Sequence, residues 1–313
     1  MKKLTKQAFD KIWLFVYRNA RNLELSIWQY EFENGSSDAI VSALQKYQNP
    51  DGGFGNTLEP DCWNPNSSPY TTLYAAEILQ KINFADTNHP IMCGIINYFK
   101  SGAESRDYGW QFNIASNNDW PHAPWWTYSP ESNVNESIGV TIGICGFILR
   151  HAKNETELYK KALSLIDTAI ARLNDPGNFG EMGIGAFCSL LETIKQTGLE
   201  SNYDMDYLSA TIKKLVNDVI ERDSSKWVHY TRRPSDLINT PESRFYEGNE
   251  EVIQTELDYL IDTRIPNGVW PITWSWHENL EKYSKEFAIS ENWWMAHNAI
   301  YKVKFLKAFG RVE

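Results

Sequence analysis

The stretch Gln45-Lys-Tyr-Gln-Asn-Pro-Asp-Gly-Gly-Phe-Gly55 closes one helical pattern, and Ser68-Pro69 opens the next. Looser copies of its core, a turn followed by an aromatic, recur at Tyr108-Gly-Trp110, Pro176-Gly-Asn-Phe179, Ser225-Lys-Trp227 and Pro266-Asn-Gly-Val-Trp270. Successive aromatics lie 43 to 69 residues apart, the interval of a two-helix unit with variable loops. A recurring unit of this kind constrains the fold more than any single motif can.

Apolar residues recur every three or four positions through the long segments, and few strands are expected. Ser36 to Tyr47, Ile91 to Lys100, Thr156 to Leu173, Asp206 to Arg222 and Glu250 to Arg264 read as amphipathic helices preceding each turn. The helices that follow are more apolar throughout: Pro69 to Ile82, Glu136 to His151, Gly183 to Gln196 and Ala288 to Phe309. Alternation of amphipathic with apolar helices suits two concentric layers, the outer burying one stripe and the inner covered on most sides. Glu77 is the polar exception among the inner helices, and a second irregular region, Arg232 to Glu242, falls where a fourth inner helix would follow, so that repeat reads as degenerate. Gln111 to Val134 reads as the longest irregular stretch, and its tryptophans and prolines argue against disorder. The expectation is one all-α domain over 1–313, a ring of five to six helical hairpins.

A net charge of -10 disfavours a nucleic-acid partner, since no basic surface is implied. Asp10, Lys11 and Arg18 interrupt the apolar run Trp13 to Tyr17, which breaks a signal-peptide core, and no stretch reaches the ~20 apolar residues of a membrane span. The four cysteines are far apart, and three lie in apolar helical contexts where a small buried hydrophobe is the usual role. A reduced, cytoplasmic protein is expected. Aromatics make up 14% of the chain, with 13 Trp, several of them in loops, and this points to an aromatic-lined cavity for a small molecule.

The Gln-x-x-Asp-Gly-Gly-Phe-Gly turn with its small-residue-rich following helix resembles the repeat of the terpenoid cyclases and protein prenyltransferases, the α/α toroid superfamily. Pro266-Asn-Gly-Val-Trp-Pro271 looks like a variant of that turn without the glutamine. Leu58-Glu-Pro-Asp61 and Pro121-His-Ala-Pro-Trp-Trp126 are similar to bacterial prenyltransferase-like toroid proteins. The resemblance implies an α/α toroid. It does not carry a reaction across. Asp204-Met-Asp206-Tyr lacks the last carboxylate of the proton-donating Asp-x-Asp-Asp, the magnesium-holding Asp-Asp-x-x-Asp is missing, and Asp61 and Cys62 are adjacent where the zinc-binding pair is separated by one residue. No cofactor is expected, with zinc or magnesium left open.

Three groups are candidates for chemistry. Glu59 and Asp61 lie between a turn and an inner helix, where neighbouring carboxylates can be driven to different pKa values and divide acid and base work; capping of turn amides is the structural alternative. His122 could shuttle a proton or ligate a metal, with Trp125 and Trp126 as faces for a sugar or a cation and Trp63 as a further binding residue; the alternative is a hydrophobic plug under the long loop. Trp270, Trp274, Trp276 and His277, followed by Glu291, Trp293, Trp294 and His297, form the third group, with Trp293 and His297 on one helix face; a satisfied structural histidine is the alternative. Asp107 and Asp119 add carboxylates near the loop, whereas Glu247, Glu250 and Glu251 read as a solvated face. Three functions follow: a cyclase- or transferase-like enzyme for an isoprenoid or other apolar ligand, a carbohydrate-active toroid, or a catalytically silent binding or scaffold protein. A dry aromatic cavity favours the first, polar walls the second, and a cavity filled by its own side chains the third.

Overall fold

The computed structural model describes residues 1–174 and 179–313. It is mostly helical, about 62%, with eleven α-helices and one two-stranded hairpin, so the all-α class holds. The chain divides into two compact units, Leu44–Leu215 and Met1–Ala43 with Val216–Glu313.

In the Leu44–Leu215 unit, α4 (Pro69–Lys81), α5 (Pro90–Ser101), α6 (Pro130–His151), α7 (Glu157–Ala171) and α8 (Gly180–Gln196) follow in order, with β1 (Ser105–Arg106) and β2 (Gly109–Trp110) between α5 and α6. Most of these helices start on a side-chain cap: Ser68, Ser129 and Thr156 accept from the backbone N–H of Thr71, Ser132 and Tyr159. Each such cap contributes about 1 kcal/mol, and the prolines at the first positions of α4, α5 and α6 are preset for the helix. Helix α6 is the hub, packed against α4, α7, α8 and β2, and it is buried almost continuously from Ser137 to Leu149. Helix α7 instead buries one stripe, Tyr159, Ala162, Ile166 and Ala169. The expected alternation of apolar with amphipathic helices is therefore present here. Arg150 ties three helices together, donating to the Thr193 hydroxyl on α8 and to Gln80 Oε1 on α4 at 2.7 Å. Glu77 belongs to the same group: burial raises its pKa, opposed by the cations Lys81 and Arg150.

The second unit holds α1 (Lys6–Asn19), α2 (Asn22–Phe32), most of α3 (Ser37–Leu44), α10 (Glu250–Asp262) and α11 (Ser284–Ala308). Helix α11 packs on α1 and α2. Leu4 N–H donates to the Arg311 carbonyl at 2.7 Å and Glu313 N–H to the Leu4 carbonyl at 3.0 Å, so the two ends of the chain are joined. The fully buried Arg311 guanidinium bonds the Lys2 carbonyl, Gln254 and Asp258. Helix α9 (Met205–Val219) crosses the boundary between the units in sequence. After it, residues 224–228 and 234–236 form only 3-10 turns, and no inner helix follows at Arg232 to Glu242.

Four boundaries and burials differ from expectation. Helices α1 and α2 precede the first repeat, where the turn periodicity gave no marker. Helix α6 starts at Pro130 and not at Glu136, so the irregular stretch ends at Ser129 and itself contains short 3-10 turns at 115–119 and 124–126. The polar run Asn133 to Ser137 resembles loop sequence because its side chains serve the neighbouring backbone. Cys93 is exposed, its thiol turned to the Thr87 and Asn88 carbonyls just before α5, while Cys188 is half-buried. Of the turn markers, Pro176-Gly-Asn178 lies outside the described residues. The aromatics Phe54, Trp110, Phe179, Trp227 and Trp270 are all buried.

Candidate functional site

The long loop is bolted to α6 by a polar stripe. Trp110 N–H donates to Thr141 Oγ1 (3.0 Å), Phe112 N–H to Ser137 Oγ (3.0 Å) and Asn113 N–H to Asn133 Oδ1 (2.9 Å). Residues 133, 137 and 141 are four apart, so they stack along one helix face. Asn133 also donates to the Asn113 carbonyl at 2.9 Å, which closes a reciprocal pair with no solvent involved.

The other side of the loop is held by the Glu59 to Trp63 segment. Ala123 N–H donates to the Asp61 carbonyl and Trp63 N–H to the Pro121 carbonyl, both at 2.9 Å, forming an antiparallel bridge between Cys62 and His122. The segments that carry Glu59, Asp61 and His122 thus lie side by side, and the two carboxylates are only 4% and 2% exposed. Burial, Glu59 and Asp61 all raise the Cys62 thiol pKa, so it stays protonated. Just before this segment, Asn56 and Thr57 have positive φ angles of 55° and 64°. For a β-branched threonine that is strained backbone. Gly55 completes the geometry, since a Cβ there would lie 2.3 Å from the Asn66 carbonyl oxygen.

A small cleft opens here, with room for about one water molecule behind its mouth, lined by Cys62, Asn64, Asn66, Ser68, Thr71, Asn117 and Trp126. Its amides are preorganised. Asn64 donates to Ser116 Oγ and to Asn117 Oδ1, both at 2.9 Å, and Asn117 donates to the Trp126 carbonyl at 3.1 Å. The Trp126 indole stacks on Phe112 (4.8 Å, 20°) and meets Tyr70 edge-on at 4.5 Å. Trp126 is 4% exposed, yet its Nε1–H has no acceptor among the described residues.

His122 serves the loop itself. Its Nδ1–H donates to the Trp120 carbonyl at 2.6 Å, and in the neutral ring Nε2 accepts from the Thr127 hydroxyl at 3.1 Å. Half-buried Trp63 donates to the Pro60 carbonyl at 3.1 Å, whereas Trp125 is exposed.

The third group lies in the other unit. Trp270 is buried and donates to the Leu260 carbonyl at 2.8 Å, the end of α10; Trp227 donates likewise to the Glu221 carbonyl at 2.8 Å. Trp270 therefore satisfies a carbonyl in the last turn of α10, and Trp227 one two residues past the end of α9. Trp293 covers the Arg21 guanidinium at 5.1 Å, and Arg21 pairs with buried Glu24. A partly exposed aromatic string runs Tyr230, Trp274, Trp294, His297, Tyr301, with neighbouring centroids 4.6 to 6.1 Å apart.

Sequence reasoning missed the asparagines of the cleft and a charged cluster in the Trp270 unit formed by Arg233, Asp236, Glu256 and Lys302. A polar stripe at four-residue spacing within apolar α6 could have marked the loop anchors. No signal marked the charged cluster, whose members lie on three separate segments.

Among the described residues, no group of three or more His, Cys, Asp or Glu side chains could hold a metal ion, and no helix is long and apolar enough to cross a membrane. Comparison of the chain with protein-family models, curated proteins and solved structures gave no significant match.

Proposed function

We propose that this chain is an α/α-toroid-type protein whose Leu44–Leu215 unit binds a small hydroxyl-rich ligand of the sugar class, with Glu59 and Asp61, on the segment that leads into the cleft, as the carboxylates for any acid-base chemistry. The toroid reading rests on the recurring turn with its buried aromatic and on the alternation of α4 and α6 with amphipathic α7. The sugar reading rests on one observation: the cleft is walled by amides and hydroxyls around an indole whose buried N–H lacks an acceptor. An unpaired buried donor costs about 1–3 kcal/mol, and a ligand oxygen would relieve that cost. The enclosed part of the cleft has room for about one water molecule, so a sugar would enter it with a single hydroxyl and keep its ring at the mouth.

An isoprenoid or other apolar ligand is the second reading, supported by the Tyr230 to Tyr301 aromatic string and by the family resemblance. Thermal stabilisation by monosaccharides and short oligosaccharides, compared with polyprenyl compounds, separates the two, since native-state binding raises apparent stability. Stabilisation by sugars that weakens about fivefold or more in affinity in Trp126→Phe is the expected result. A response confined to polyprenyl compounds overturns the sugar reading, and no response to either panel leaves the scaffold alternative.

A further inference from the structure

Lys302, on α11, is placed unlike an ordinary lysine. Its half-buried side chain brings Nζ to 5.3 Å from the centre of the Trp270 ring, and the amine has no hydrogen-bond or ion-pair partner among the described residues. Trp270 cannot move aside, because its own N–H is tied to the end of α10. The charged groups facing the amine come from two elements, Arg233 and Asp236 from the 3-10 turn region and Glu256 from α10. Both carboxylates are already engaged: Glu256 accepts from the Ser235 hydroxyl (2.6 Å) and N–H (2.8 Å), and Asp236 accepts from Arg233 N–H (2.8 Å). The Arg233 guanidinium bonds the Trp227 carbonyl and lies over the Tyr259 ring at 5.4 Å, which fixes a second positive charge nearby.

We propose that Lys302 is a nucleophilic amine that condenses with a small aldehyde or ketone to form a Schiff base. Three features of the placement carry this. The amine lacks an acceptor that would hold its proton, its stem is half-buried, and a fixed guanidinium disfavours a further cation beside it, together outweighing the attraction of the Trp270 ring face for the ammonium. Burial first, then Arg233, pushes the ammonium pKa down to about 7, against the opposing pull of Glu256 and Asp236. Roughly half of Lys302 is then neutral at pH 7, against about one solvated lysine in 2,500. In the reaction the amine lone pair forms the C–N bond and the carbonyl π pair moves to oxygen. That oxygen leaves as water with two protons, so amine plus carbonyl give imine plus water with no change of oxidation state. The inference is independent of the sugar reading, whose residues lie in the other unit.

The test is competitive reductive trapping of the intact protein at pH 7 with glyceraldehyde and cyanoborohydride, which fixes each imine as a secondary amine, followed by peptide mass mapping. Lys302 is expected to be modified at least about tenfold faster than exposed Lys3 and Lys153. A rate equal to or below theirs overturns the proposal. Measured against pH, the Lys302 rate should reach half its maximum near pH 7, and Glu256→Gln should shift that midpoint downward by removing an anion that favours the ammonium. A midpoint near that of the exposed lysines, or one unmoved by Glu256→Gln, overturns it.

Discussion

The Trp126 cleft and the Lys302 cluster both bury polar groups, but by opposite means. Around the cleft, neutral amides and hydroxyls exchange hydrogen bonds: Asn133 with the Asn113 backbone, Asn64 with Asn117, and Asn117 with the Trp126 carbonyl. Around Lys302, charges are packed among aromatics, with Arg233 on Tyr259, Lys302 on Trp270 and Glu256 held by Ser235. A neutral network is satisfied once its partners are in place and is indifferent to pH. A charged cluster never recovers all its solvation, so its protonation equilibria shift and its stability becomes a function of pH.

Breaking the neutral network should have the largest effect. Asn133→Ala leaves both the Asn113 N–H and its carbonyl without their partner in a fully buried place, and a loss of about 2–4 kcal/mol is expected. Urea denaturation followed by tryptophan fluorescence measures it, at pH 5 and again at pH 8. The loss should be the same at both values; a loss below about 1 kcal/mol means the pair does not anchor the loop.

The charged cluster should answer to pH instead. Burial is the first cause that raises the Glu256 pKa to about 7, above an unfolded value near 4.3, so the native state binds more protons between those values. Stability contributed by this group therefore falls as pH rises from about 4.3 to 7. For Lys302 the native pKa is the lower one, so between about 7 and 10 the unfolded state binds more protons and stability rises with pH. The two slopes meet in a minimum near neutrality. Glu256→Gln should flatten the acid limb and Lys302→Met the alkaline limb, each by about 2 kcal/mol, an amount discounted from the full shift because the groups interact. Wild-type stability that is flat from pH 5 to 9 would sink this account.

The same contrast explains what was legible in the sequence. Helices with caps and periodic apolar residues were readable because local physics sets them: Ser68-Pro69 begins α4 and the Glu250 to Arg264 pattern matches α10 closely. The five turn aromatics were readable as a repeat, and burial of all five fits that reading. Glu59 with Asp61, and His122 with the loop tryptophans, were separate candidates from their positions in the sequence, and the Cys62–His122 bridge sets the two segments side by side. Neither the asparagine network nor the charged cluster could be read, because each depends on partners 20 to 70 residues apart in sequence that only packing brings together. The beginning of α6 was hidden for the same reason, its asparagine and serine being inner-face groups with buried partners.

The two regions also differ in how they treat a tryptophan N–H. Trp270→Phe keeps the ring under Lys302 but removes the bond to the Leu260 carbonyl, and about 1 kcal/mol should be lost. Trp126→Phe removes an N–H that had no partner, so stability should change by less than about 0.5 kcal/mol while ligand affinity falls. Equal losses at the two positions would mean that the Trp126 N–H is already satisfied in solution, and the argument for a ligand oxygen there would fail.

The smallest expected effect tests whether the strained turn before Glu59 belongs to the site. Thr57 holds φ at 64°, a region that costs a β-branched residue energy and glycine almost none. Thr57→Gly should relieve that strain, but glycine also frees the unfolded chain, which offsets part of the gain. A net stabilisation of about 0.5 kcal/mol is expected in thermal or urea unfolding. If the strain only closes the turn, ligand-induced stabilisation should be as large in Thr57→Gly as in wild type. If the strain aims Glu59 and Asp61, the variant should be more stable when free and respond less to ligand, because strain held at a binding segment is retained only where it positions groups for use.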